Sequence, residues 1–128
     1  MPDETVTVDL TGAFAAADRA SLVLRSRPVR TVEDADAVQT FVAALAPVQD
    51  GWGVPELGVP ICPVRVDLYD GTEFVGHVAV SEHVLVAHVH GTFLARTSSP
   101  SVSRTLLAVL RADDLLDDED RPFRLDPP

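Results

Sequence analysis

Residues 64–95 read VRVDLYDGTEFVGHVAVSEHVLVAHVHGTFLA, and this stretch decides the fold. Runs rich in Val, Leu, Phe and Tyr are interrupted at Asp70-Gly71 and at Ser81-Glu82, a pattern that predicts a three-stranded antiparallel meander. Side chains alternate between the two faces of a strand, so each run divides into two sets. In the first run Val64, Val66 and Leu68 are apolar, and Arg65, Asp67 and Tyr69 lie opposite them. In the second, Phe74, Gly76, Val78 and Val80 share one face, and Glu73, Val75, His77 and Ala79 the other. In the third, Leu85, Ala87 and Val89 oppose Val84, Val86, His88 and His90.

When core face is paired with core face, the second face collects Arg65, Asp67, Tyr69, Glu73, His77, His88 and His90. These are the candidate ligand-binding residues. Imidazoles at i and i+2 project to one side of a strand, and with His77 opposite they are a candidate metal set. The same group suits an anionic ligand, or a general base oriented by Asp67 or Glu73. Val75, Ala79, Val84 and Val86 share this face, however, which favours hydrogen-bonded packing histidines over metal ligands, and neither a metal nor another cofactor is assigned. Register governs the outcome. A strict two-residue turn at Asp70-Gly71 pairs residue 68 with 73 and sends His77 to the core face, so the grouping requires a bulge or a longer loop.

Outward from the meander, residues 97–100 (Thr-Ser-Ser-Pro) predict a helix start with Ser99 as cap and Pro100 in the first turn. Its buried stripe is Val102, Leu106, Val109 and Leu110, and its end is near Arg111. Upstream, Thr31 or Asp34 caps a helix whose stripe is Val38, Phe41, Val42 and Leu45, stopped by Pro47. Between this helix and the meander, residues 47–63 hold four prolines, three glycines and the sole Trp. Trp52 is a candidate partner contact, with a core plug beneath the loop as the favoured alternative. Cys62 lacks an adjacent base or cation and is expected to be a buried, inert thiol.

Residues 5–10 alternate polar and apolar and predict a short strand, followed by an alanine-rich turn of helix or connection. Residues 21–29 predict a second strand, placed at a sheet edge or strand end by Pro28. Arg19, Arg25, Arg27 and Arg30 cluster there and form either an anion-binding patch or the charged outer face of that edge. The resulting fold class is α+β, with element order β-β-α-β-β-β-α. It is a single antiparallel sheet of about five strands carrying two amphipathic helices on one face. The central strands are apolar on both faces, so the second face needs a cover, either the Trp52 loop or another copy of the chain as a homodimer.

The chain has 128 residues with 46% hydrophobic content, enough for one core. Residues 1–111 are read as that domain and residues 112–128 as an acidic tail carrying seven acids against two arginines. Leu115 and Leu116, flanked by aspartates, are a candidate docking motif within it. The net charge of −10 disfavours nucleic acid and anionic membranes as partners. Every basic residue other than histidine is Arg, with Lys and Asn missing altogether, a mark of GC-rich coding. No stretch has the length and hydropathy of a membrane span, the N-terminus has no signal-peptide pattern, and the single cysteine forms no internal disulfide, so a cytoplasmic setting is expected. Phosphate-cradling glycine loops, CxxC, HExxH and GxSxG motifs are missing from the sequence. The function expected is therefore that of a noncatalytic interaction or regulatory protein, an accessory subunit or inhibitor, with a protein partner on its sheet face and acidic tail. The alternative is a small-ligand or metal-binding module, or an enzyme, using the histidine face.

Overall fold

The computed structural model describes residues 5–55 and 58–112. One antiparallel sheet of six strands runs β2-β1-β3-β4-β5-β6. In chain order the elements are α1 (Leu10–Ala13), β1 (Arg19–Leu24), β2 (Arg27–Val32), α2 (Ala35–Ala43), a 3-10 turn (Ala46–Val48), β3 (Val64–Asp70), β4 (Glu73–Val80), β5 (Val84–Val89), β6 (Thr92–Thr97) and α3 (Pro100–Ala108). The α+β class with one antiparallel sheet is as expected; the sheet has one strand more than anticipated.

The two longer helices follow from their caps and stripes. Asp34 accepts from the backbone of Asp36 and Ala37, and Ser99 accepts from Val102, so each helix has orphan N–H groups satisfied at its start. Val38, Phe41, Val42, Leu45, Leu106, Leu107 and Leu110 all enter the core. At the other end of α3, Arg111 takes the left-handed conformation (φ 57) and Ala112 N–H returns to the Leu107 carbonyl at 2.9 Å, a Schellman-type stop. Arg30 of β2 donates to the Leu110 and Arg111 carbonyls at 3.1 and 2.6 Å, placing a cation on the negative end of the helix dipole. Ala112, assigned by composition to the tail, is fully buried in the core. Leu115 and Leu116 lie outside the described residues.

Three local expectations are corrected. The strand expected at residues 5–10 is a single bridge between Val6 and Trp52, after which Asp9 caps α1 by accepting from Gly12 N–H at 3.0 Å. An Asp at a cap position outweighs three alternating apolar residues. The strand expected at residues 21–29 is two strands, because Arg25 and Ser26 are both left-handed (φ 48 and 74) and form a two-residue hairpin turn. Pro28 nevertheless lies on β2, an edge strand, as its missing N–H requires. The third meander run is also two strands, folded at His90-Gly91 (φ 52 and 78).

The helices pack on one face of the sheet. Ala20, Leu22, Val64, Val66, Leu68, Val78, Val80, Leu85, Ala87 and Val89 meet them in one cluster, with Phe14, Trp52 and the α2 and α3 stripes. Val23, Ala79 and Val86 are also buried but stand outside that cluster, on the opposite face. Among the described residues, it is residues 59–63 of the long loop, and none of the helices, that lie against them.

Candidate functional site

The helix-free face is set by a bulge. Leu68 is opposite Gly76, but Tyr69 is opposite Phe74, so Val75 is the extra residue on β4. The turn then closes with Asp70 opposite Glu73 and Gly71 (φ 63) in its first central position. This bulge is the device required for His77 to leave the core face. It places His77 opposite Asp67 on one side and opposite His88 on the other.

The bulge also exchanges two residues beyond it. Phe74, expected on the core face, turns onto the histidine face and packs edge-on against Tyr69, with centroids 5.7 Å apart. Glu73, expected among the site residues, falls to the other parity at the exposed end of the hairpin. His90 is likewise removed, because it occupies the exposed turn after β5 and not a strand position. The i, i+2 histidine pair on which the metal alternative rested is thus not formed. Among the described residues no group of three His, Cys, Asp or Glu side chains is placed to hold a metal ion.

Arg65, Asp67, Tyr69, His77 and His88 share one face of the sheet. Arg65 and Asp67 form a forked pair, Nε to Oδ1 at 2.7 Å and Nη2 to Oδ2 at 3.1 Å, so the largely buried carboxylate is held as an ion-pair partner. His77 and His88 rings lie 5.3 Å apart, and His88 stacks on Phe93 at 4.4 Å with an 11° tilt. Phe93, which sequence reasoning missed, faces His88 across the β5–β6 pair. Parity within a strand beginning at Thr92 identifies it, once the His90-Gly91 turn is recognised. Phe74 and Phe93 keep 43% and 39% of their surface exposed. The result is an aromatic and imidazole surface with one internally neutralised ion pair.

Next to this surface, residues 59–63 lie over the sheet and enclose a cleft of about 520 Å³. Its lining includes Val23, Ala79 and Val86 together with Ile61, Arg65, His77 and Phe93, the last shared with the aromatic surface. Cys62 is half-buried on its wall. Trp52, the other candidate contact, is elsewhere. It has no exposed surface, and its indole N–H donates to the Val48 carbonyl at 2.7 Å within the core.

Burial lowers the His77 pKa to about 4; Asp67 opposes the shift, whereas Arg65 and His88 reinforce it. The imidazole is therefore neutral at pH 7. Because the folded-state value lies below that of the unfolded chain, the contribution to stability is fully present above about pH 6.5. It is lost as pH falls from there through about 4. The expected loss is about 1–2 kcal/mol, less than the full linkage value because the half-exposed ring is screened by water. Urea titrations of wild type and His77→Gln between these pH values check this: the difference between them should shrink on acidification. A constant difference would contradict a neutral, partly desolvated His77.

Comparison of the chain with known protein families, with characterised proteins and with solved structures finds no match.

Proposed function

We propose that this chain is a noncatalytic interaction protein, an accessory or inhibitor-like subunit, which docks a protein partner on its helix-free sheet face. The observation that supports this most is the exposure of Phe74 and Phe93 on either side of His88, on a face that none of the described helices covers. Rigid aromatic side chains on strands supply large contact area at low entropic cost, the usual composition of an interface anchor. Arg65 already neutralises Asp67, so docking an apolar partner segment there leaves no unpaired charge. The acidic segment 113–128, outside the described residues, is the second element of the proposal and would engage basic groups on the same partner. A cytoplasmic setting fits a cysteine-poor acidic chain in which no described helix is long and apolar enough to cross a membrane.

Phe93→Asp tests the reading. At this exposed position the change is expected to cost no more than about 1 kcal/mol of stability. It should weaken the complex with a partner recovered by the wild-type chain and identified by mass spectrometry at least about tenfold. Equal affinity of both forms would remove the face from the account. A wild-type dimer that Phe93→Asp dissociates in sedimentation would identify the partner as a second copy.

A further inference from the structure

The cleft beside the aromatic surface has features that a flat docking face does not need. We propose that it is a binding site for a small monoanionic amphiphile, a carboxylate with an alkyl or aryl body. Phe93 lines the cleft as well as the aromatic surface, so ligand and partner would share that ring, but the proposal does not rest on the partner.

Three observations carry it. The first is shape and lining: about 520 Å³ is within the range of small-molecule sites, and Val23, Ala79 and Val86 form an apolar floor beneath a wall contributed by Val59 and Ile61. Val59 and Ile61 are 44% and 74% exposed, so the wall leaves apolar surface that a ligand would cover.

The second is a cationic residue in the lining. Arg25 lines the cleft and has no carboxylate partner among the described residues, whereas Arg19 pairs with Glu33, Arg65 with Asp67, and Arg30 with the α3 carbonyls. A guanidinium with no described carboxylate partner, on a residue lining an apolar trough, is complementary to a carboxylate whose body lies in the trough.

The third is the backbone that holds this arginine. Arg25 and Ser26 occupy the left-handed positions of the turn, where glycine or asparagine is normal, and the Arg25 N–H donates to the Pro63 carbonyl at 2.9 Å. The turn is thereby fastened to the segment forming the wall, so these two parts of the lining are fixed relative to each other. Strained residues of this kind are held where a side chain must be presented at a set place. The neutral His77 ring, also in the lining, offers a hydrogen bond without adding charge.

Isothermal titration of the full chain with octanoate and, separately, 1-octanol tests the site. Octanoate is expected to bind at one per chain, about tenfold more tightly than the alcohol. Arg25→Gln, at an exposed turn, should bring octanoate to the affinity of octanol and leave octanol unchanged. Ala79→Phe should fill the floor and remove both, and amide chemical-shift changes in the wild type should centre on residues 23–26, 59–63 and 79. Equal affinity for acid and alcohol would overturn the proposal. So would an Arg25→Gln variant with wild-type octanoate affinity, shifts confined to Tyr69 and Phe74, or no binding of octanoate at about 1 mM. A dimer that closes the cleft and binds no octanoate would assign the space to a second copy of the chain.

Discussion

Trp52→Ala is expected to lower the free energy of unfolding by about 3–5 kcal/mol, the range for emptying a large aromatic site in a packed interior. Trp52 joins several parts of the molecule. Its ring is fully buried in the main cluster, its indole N–H is satisfied by Val48, and its backbone exchanges two hydrogen bonds with Val6 at 2.7 and 3.1 Å. The next residue, Gly53, exchanges two more with Ala95 at 2.9 Å each, and Arg96 donates to the Asp50 carbonyl, so the loop is fastened along the β6 edge. Truncation leaves a cavity and an unsatisfied Val48 carbonyl together. Urea unfolding measures the loss. Val54→Ala, two residues away and 70% exposed, is the control and should change stability by no more than about 0.5 kcal/mol. A Trp52→Ala variant as stable as that control would contradict the core role.

Gly76→Ala is expected to be at least as severe as a typical core truncation, costing about 3 kcal/mol or more. Gly76 has φ +148, a region that side-chain-bearing residues rarely adopt. A Cβ there would stand 2.4 Å from the His88 carbonyl oxygen and 2.7 Å from Phe14 Cε1. The ring could shift, but the carbonyl belongs to the central ladder, so the strain reaches the β4–β5 pairing. Gly58→Ala separates the two effects. It also has positive φ (+103), but nothing within 4 Å of the added atom, so only the dihedral cost of about 1 kcal/mol applies. Removing Phe14 should not rescue Gly76→Ala, because the backbone clash remains. Loss no larger than that of Gly58→Ala, by thermal or urea unfolding, would show that the ladder yields at this point.

Gly76 matters to the site because it adjoins the extra residue of the bulge. Alternation in residues 64–80 was readable, and so was the condition that a bulge must intervene if His77 is to face Asp67. Where that bulge falls was not readable from polarity. Val75 and Phe74 are both apolar and suit either face, and only the close approach of Phe14 and the His88 carbonyl demands glycine at residue 76. Phe74 and Glu73 therefore exchanged faces. Asp34, Ser99, Pro100 and Pro28 could be placed from sequence because each acts through its own backbone neighbours.

The missed turns have a common cause. Arg25-Ser26 and His90-Gly91 are two-residue hairpin turns, yet three of their four residues are neither glycine nor asparagine, and all four are left-handed. The flanking pairs, Leu24 with Arg27 and Val89 with Thr92, impose that geometry from the sheet, overriding local preference. Reading through the second turn kept His90 on the strand and hid Phe93. The same kind of override at the first turn set Arg25 in the lining of the cleft.

On the proposed reading the helix-free face meets the partner and the helical face does not. Photocrosslinking from an unnatural benzophenone side chain in the cell of origin tests it most directly, with the probe at Phe93 on β6 or at exposed Ala43 on α2. The prediction is one discrete adduct from residue 93, with none from residue 43, that Phe74→Asp abolishes. Adducts from residue 43 alone, or a residue 93 adduct indifferent to Phe74→Asp, would contradict it.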